Sequence, residues 1–133
     1  MSSKGMKILI VITCCILLVL LMNPISLSAY YNNYRLNKFE KKLFNLSLPP
    51  NTRELSKYSK VGGLYGNGDN CDFLARRKIV SSLDIEELIK FYNTDNKGVQ
   101  IIINYIEQSS EGNIVELEVV EEGKNSYFDL RCT

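Results

Sequence analysis

The dominant pattern along the chain is an uninterrupted apolar run, Ile8 to Met22, written ILIVITCCILLVLLM and free of charge. Uncharged residues continue through Asn23 and Pro24 to Ala29. At about 1.5 Å per residue the strict run covers roughly 22 Å, and the run to Ala29 roughly 33 Å, against a hydrocarbon core of about 30 Å. The longer count predicts a single-pass transmembrane helix over residues 1–29; the shorter one fits the apolar part of a signal segment. Lys4 and Lys7 precede the run and no Lys or Arg follows until Arg35. That bias places the N-terminus in the cytoplasm, the chain in the cell membrane and everything after residue 30 outside. Ser26, Leu27 and Ser28 before Ala29 also suit a signal peptidase, so a cleaved signal and a secreted domain is the alternative.

Beyond the apolar run the periodicity changes. Tyr30 to Asn33 is a polar and aromatic collar, and Leu36, Phe39, Leu43 and Leu46 then recur at helical spacing before Pro49 and Pro50. Residues 30–50 therefore read as an amphipathic helix and a linker. Val61, Leu64 and Tyr65 on one side of Gly66 to Asn70, and Cys71, Phe73, Ala75, Ile79 and Val80 on the other, read as a β-hairpin. Asp84 with Glu87 forms a capping box for a helix whose apolar face is Ile85, Leu88, Ile89 and Tyr92, and Gly98 is placed to end that segment. Val99 to Glu107 is apolar at most positions and reads as a central strand covered on both faces, while Ile114 to Glu121 and Tyr127 to Cys132 alternate. The short Gly-bearing links Ser109 to Asn113 and Glu122 to Asn125 join these strands as an antiparallel meander. The expected architecture is α+β: an N-terminal transmembrane helix, then an extracytoplasmic domain over residues 51–133 with one or two helices on a mainly antiparallel five-stranded sheet.

Charge changes this picture in one respect. The net charge is +1, so nucleic acid is not an expected partner. From Tyr30 to Ser82 the balance is strongly basic, however, and from Leu83 to Thr133 strongly acidic. Two halves of opposite sign are expected to lie side by side and neutralise each other. Arg76, Arg77 and Lys78 are the densest basic run and form the candidate binding surface, for an acidic envelope polymer or for the acidic half of the same domain.

Candidate chemistry is sparse. There is no His, which removes Ser-His and Cys-His dyads and the commonest general base. Glu86 and Glu87 read as helix-start carboxylates, and Glu116 and Glu118 as a solvated strand face. The glycines from Gly62 to Gly68 lack the ending of a phosphate loop, and Asn67, Asp69 and Asp72 miss the spacing of a calcium loop. No catalytic residue, cofactor or metal is expected. Cys71 and Cys132 are the cysteines outside the apolar run. A disulfide between them is permitted in an oxidising compartment, with two buried thiols as the other ordinary reading.

LPPNT at Leu48 to Thr52, YSKVGGLYGNGDNCDFLA at Tyr58 to Ala75 and SSLDIEELIKFYN at Ser81 to Asn93 resemble small membrane-anchored or secreted proteins of low-GC Gram-positive bacteria. That resemblance implies a cell-envelope location and carries over no activity or site residues. The functional expectation is a membrane-tethered, non-enzymatic binding or scaffolding domain whose partners are the membrane and an envelope protein or acidic polymer. The alternative is a small accessory or immunity-type subunit acting through its transmembrane helix.

Overall fold

The structure, a computed structural model, describes residues 3–21, 24–66, 70–95, 99–123 and 129–132. The described elements are helices α1 (Ser3–Leu21), α2 (Pro24–Phe44) and α3 (Ile85–Asp95), strands β1 (Thr52–Gly62), β2 (Asp72–Ser81), β3 (Ile102–Ser109) and β4 (Gly112–Glu121), and a short 3-10 turn, Leu130–Cys132. The strands form one antiparallel sheet in the order β1-β2-β4-β3.

The apolar N-terminus departs from expectation. Among the described residues no helix is long and apolar enough to cross a membrane. The single-pass topology is therefore corrected. The longer count joined two elements: α1 ends at Leu21, and Pro24 opens α2, whose later turns belong to the folded domain. The charge-free part of α1, from Ile8, rises only about 20 Å. Its apolar side chains from Met6 to Val19 are exposed on every side of the helix.

Helix α2 takes in both the tyrosine collar and the amphipathic segment. Asn32, Phe39 and Leu43 are buried, with Leu36 half-buried between them, so one stripe at spacings of three to four residues faces the sheet. Phe39 meets Phe73 of β2 with ring centroids 6.0 Å apart, and the Arg35 guanidinium sits 4.7 Å from the centre of the same Phe73 ring. Tyr30, Tyr31 and Tyr34 point away into solvent.

The capping box expected at α3 is present in both directions. The Asp84 amide donates to the Glu87 carboxylate at 3.1 Å, and the Glu87 amide to the Asp84 carboxylate at 2.8 Å. Leu88 and Tyr92 enter the core, which joins them to Val61, Phe73, Ala75, Ile79, Val115, Leu117 and Val119. Ile89, expected on the apolar face, is exposed.

The sheet differs from the expected five strands. Four are present among the described residues. Val99 to Glu107 was expected at the centre, covered on both faces, yet β3 is an edge strand exposed along most of its length. β3 and β4 form the expected antiparallel hairpin, but the other side of β4 is taken by β2 and not by a further C-terminal strand. β1 begins at Thr52, earlier than its apolar residues suggested, because an edge strand with few buried positions has no apolar signature. The last expected strand is replaced, over its described residues, by the 3-10 turn Leu130–Cys132. Asn67 to Asp69 of the hairpin turn, Gly98, the link residues Lys124 and Asn125, and Tyr127 and Phe128 lie outside the described residues.

Candidate functional site

Two regions gather polar chemistry. The first is a clasp at the end of the sheet where the chain terminus meets α2. The 3-10 turn holds Cys132 beside Cys71, with Cα atoms 4.8 Å apart and sulfurs at disulfide distance. Both are buried. Beside them lies Asp129, its side chain 1% exposed. Its carboxylate receives the Arg131 guanidinium on both oxygens, at 2.9 and 2.6 Å, and the Asn32 amide at 2.9 Å. The second amide hydrogen of Asn32 points to the Cys71 sulfur, 3.3 Å from nitrogen to sulfur. Arg131 also donates to the Asn33 side-chain oxygen at 2.7 Å and to the Ala29 carbonyl at 3.2 Å, so one guanidinium ties the chain end to the first half of α2. These hydrogen bonds, led by Arg131, hold the Asp129 carboxyl down at about 2 despite its burial, and the carboxylate pushes the Arg131 guanidinium up.

The donor atoms of Cys71, Asp129 and Cys132 lie within 4.8 Å of one another. Metal binding would need two free thiolates and an available carboxylate. In the bridged arrangement the sulfurs are spent on each other, and both Asp129 oxygens already accept hydrogen bonds. The chemistry on hand is that of a covalent and ionic clasp. Asp72, considered with Asn67 and Asp69 as a calcium ligand, is fully buried and accepts the backbone amides of Leu64 and Tyr65, each at 3.1 Å. It caps the end of the hairpin.

The second region is the basic run. Alternation along β2 sends Arg77 to the helix-covered face and Arg76 and Lys78 to the other, so the three do not form one surface. Arg77 is buried. Its Nε donates to Glu54 at 2.7 Å and one terminal nitrogen to the Leu46 carbonyl at 2.8 Å. Burial alone would raise the Glu54 carboxyl, but the hydrogen bonds from Lys57 and Arg77 outweigh it and bring the group below its ordinary value. Arg76 lies opposite Glu118 in register, with Nε 2.6 Å from Glu118 and 3.6 Å from Glu116. The Glu118 hydrogen bond raises the Arg76 guanidinium further above its usual range.

Thus Arg76 meets the acidic half of its own chain, as do Lys42 with Glu121 and Arg53 with Glu111, whereas Arg77 pairs with Glu54 of its own basic half. The expected neutralisation between the halves is seen at Arg76, Lys42 and Arg53, while Lys57, Arg77 and Arg131 pair within their own halves. Glu116 and Glu118, expected as solvated charges, are mostly covered partners, with side chains 24% and 12% exposed. What remains on the open face is the Arg76–Glu118 pair, with Lys78 on the same side and in no ion pair among the described residues. Tyr58 lies opposite Arg76, and the exposed Leu55, with half-buried Ile114 and buried Val80 beneath it, adjoins the Arg53–Glu111 pair.

An open groove of about 600 Å³ between the turn after α2 and α3 is lined by Leu83 and Phe91 with Ser47, Glu87, Lys90 and Thr94. Its one carboxylate, Glu87, is the one that caps α3.

Sequence reasoning reached the two cysteines and the basic run but not Asn32, Asp129 or Glu54. A lone Asn in a helix or Asp near a chain end has no local signal, because its role depends on a partner far along the chain. Comparison with protein-family models, with curated proteins and with solved structures finds no match.

Proposed function

We propose that the chain is a non-catalytic binding or scaffolding domain of the cell envelope that acts through contacts with another envelope protein. The carrying observation is the open sheet face. Arg76 there is already matched by Glu118 and Glu116, exposed Tyr58 lies opposite it, and exposed Leu55 lies further along by Arg53 and Glu111. A matched arginine flanked by the exposed Tyr58 and Leu55 suits a protein surface. The cysteine pair at disulfide distance supports an oxidising compartment. The apolar surface of α1 supports the membrane as a partner. The accessory-subunit alternative needs a crossing helix, which the described residues do not supply.

The test is site-specific photo-crosslinking in the native cells, with the probe at Tyr58 or Lys78 on the open face and at Lys41 on α2 as control. A discrete protein adduct from the open face and none from the control supports the reading. Equal adducts from both positions, or none from either, overturns it.

A further inference from the structure

The two edges of the sheet are built differently. β1 carries Arg53, Glu54, Lys57 and Lys60, the charges with which native edge strands discourage another strand from pairing. β3 reads IINYIEQS and carries one charge, Glu107, with no Lys, Arg or Pro. Its outer backbone pairs with no strand among the described residues. Ile102, Tyr105 and Ile106 are 43%, 53% and 40% exposed along it. β-branched and aromatic residues on an unpaired edge are the composition of a strand that accepts a partner.

We propose that β3 pairs with β3 of a second copy, antiparallel about a two-fold axis, joining two four-stranded sheets into one. The choice of a second copy rests on self-complementarity, since an isologous interface must match its own sequence reversed. With Asn104 opposite Asn104, Ile103 of one copy faces Tyr105 of the other on the helix-covered side. Ile102 then approaches Ile106 of the partner copy, where the register of β3 becomes irregular. No like charges are opposed, and apolar cross-strand pairs of this kind stabilise a ladder. The same operation on β1 about Lys57 would set Lys57 against Lys57, a like-charge contact that β3 about Asn104 avoids. The irregular register between Tyr105 and Glu107 is present in both copies, so the two-fold places it at both ends of a short regular ladder, Ile103 to Tyr105 of each copy. This inference does not depend on the proposed function.

The experiment uses the full chain in a mild detergent that disperses α1, with Cys14→Ser and Cys15→Ser to remove the free thiols. In that background Asn104→Cys places two thiols opposite each other at the two-fold, where facing Cα atoms are about 4.5–5.5 Å apart and within reach of a disulfide. Under mild oxidation the expected result is a covalent dimer from Asn104→Cys and none from Ser56→Cys on β1. Separately, Ile106→Lys, at an exposed position that leaves the core intact, is expected to raise the dimer dissociation constant by about ten-fold or more, read by light scattering across concentration. A monomeric mass for the parent chain at every concentration overturns the proposal. So does equal crosslinking from Ser56→Cys and Asn104→Cys. Capture of a different protein by Asn104→Cys in native cells, with the purified chain monomeric, reassigns the edge to a foreign strand and also overturns it.

Discussion

Asn32 in α2 and Asp129 beside the chain terminus stand 97 positions apart and are joined by a buried 2.9 Å hydrogen bond. With Arg131 on both carboxylate oxygens, this contact keeps Asp129 ionised in a covered site, at about 2 rather than near the 3.9 of an unfolded aspartate. The folded value is the lower one, so the stabilisation is fully present above the unfolded pKa and is lost as pH falls through the folded one. The window is about pH 4 down to about pH 2, and the size is about 2 kcal/mol. Urea unfolding of Asp129→Asn is expected to show that deficit at neutral pH and a narrowing gap to the parent chain as the pH falls through this window. A gap that stays constant with pH would contradict the assignment.

The pair Cys71 and Cys132 closes a loop of 61 residues. Constraining a loop of that length in the unfolded chain is worth about 4 kcal/mol. Cys132→Ser, or full reduction, is expected to lower stability by about 2–5 kcal/mol and to loosen the clasp that Arg131 makes with Ala29 and Asn33. Hydrogen exchange along Ala29 to Tyr34 should then accelerate while β2 and β4 stay protected in the folded protein. The unreduced intact mass should be lower by the two thiol hydrogens.

Elements whose signal is local were legible in the sequence. The Asp84–Glu87 box needs only adjacent residues, and the alternation of Val115, Leu117 and Val119 needs only one covered face. The position of β3 was not legible. An apolar run looks the same whether it is covered on both faces or stands at an edge with Ile102, Tyr105 and Ile106 uncovered, and only strand order decides. The same limitation misread the N-terminus, where uncharged residues of α2 were counted into an apolar span that ends with α1. Of the candidate site, the cysteines and the basic run were visible because composition marks them. That Arg77 turns inward to Glu54 while Arg76 turns outward to Glu118 follows from the pleat of β2, once its place in the sheet is known.

That division of the basic run separates two otherwise similar substitutions. Arg77 is 6% exposed in its side chain, and its removal leaves the Leu46 carbonyl without this donor and the Glu54 carboxylate with Lys57 alone. Arg77→Ala is expected to cost about 3 kcal/mol, the range for breaking a buried pair on one side. Arg76 is 41% exposed, and water replaces its contacts with the glutamates. Arg76→Ala is expected to cost about 1 kcal/mol or less. Thermal or chemical unfolding of the two variants side by side checks this, and similar losses would mean that both arginines share one environment.

The docking of α2 on the sheet gives the last contrast, because one helix carries aromatic residues on two faces. Phe39 is buried against Phe73 and helps to close the core over β2, whereas Tyr34 is on the solvent side with the Lys38 ammonium 4.9 Å from its ring centre. Phe39→Ala opens a cavity in a close-packed layer and is expected to cost about 3–5 kcal/mol. Tyr34→Ala removes an exposed ring and a solvated cation contact, with an expected change within about 1 kcal/mol. Equilibrium unfolding of the two variants tests the orientation of α2 directly. If Tyr34→Ala proved the more damaging, the helix would have to sit on the sheet by its opposite face, and the Asn32–Asp129 contact would be lost with it.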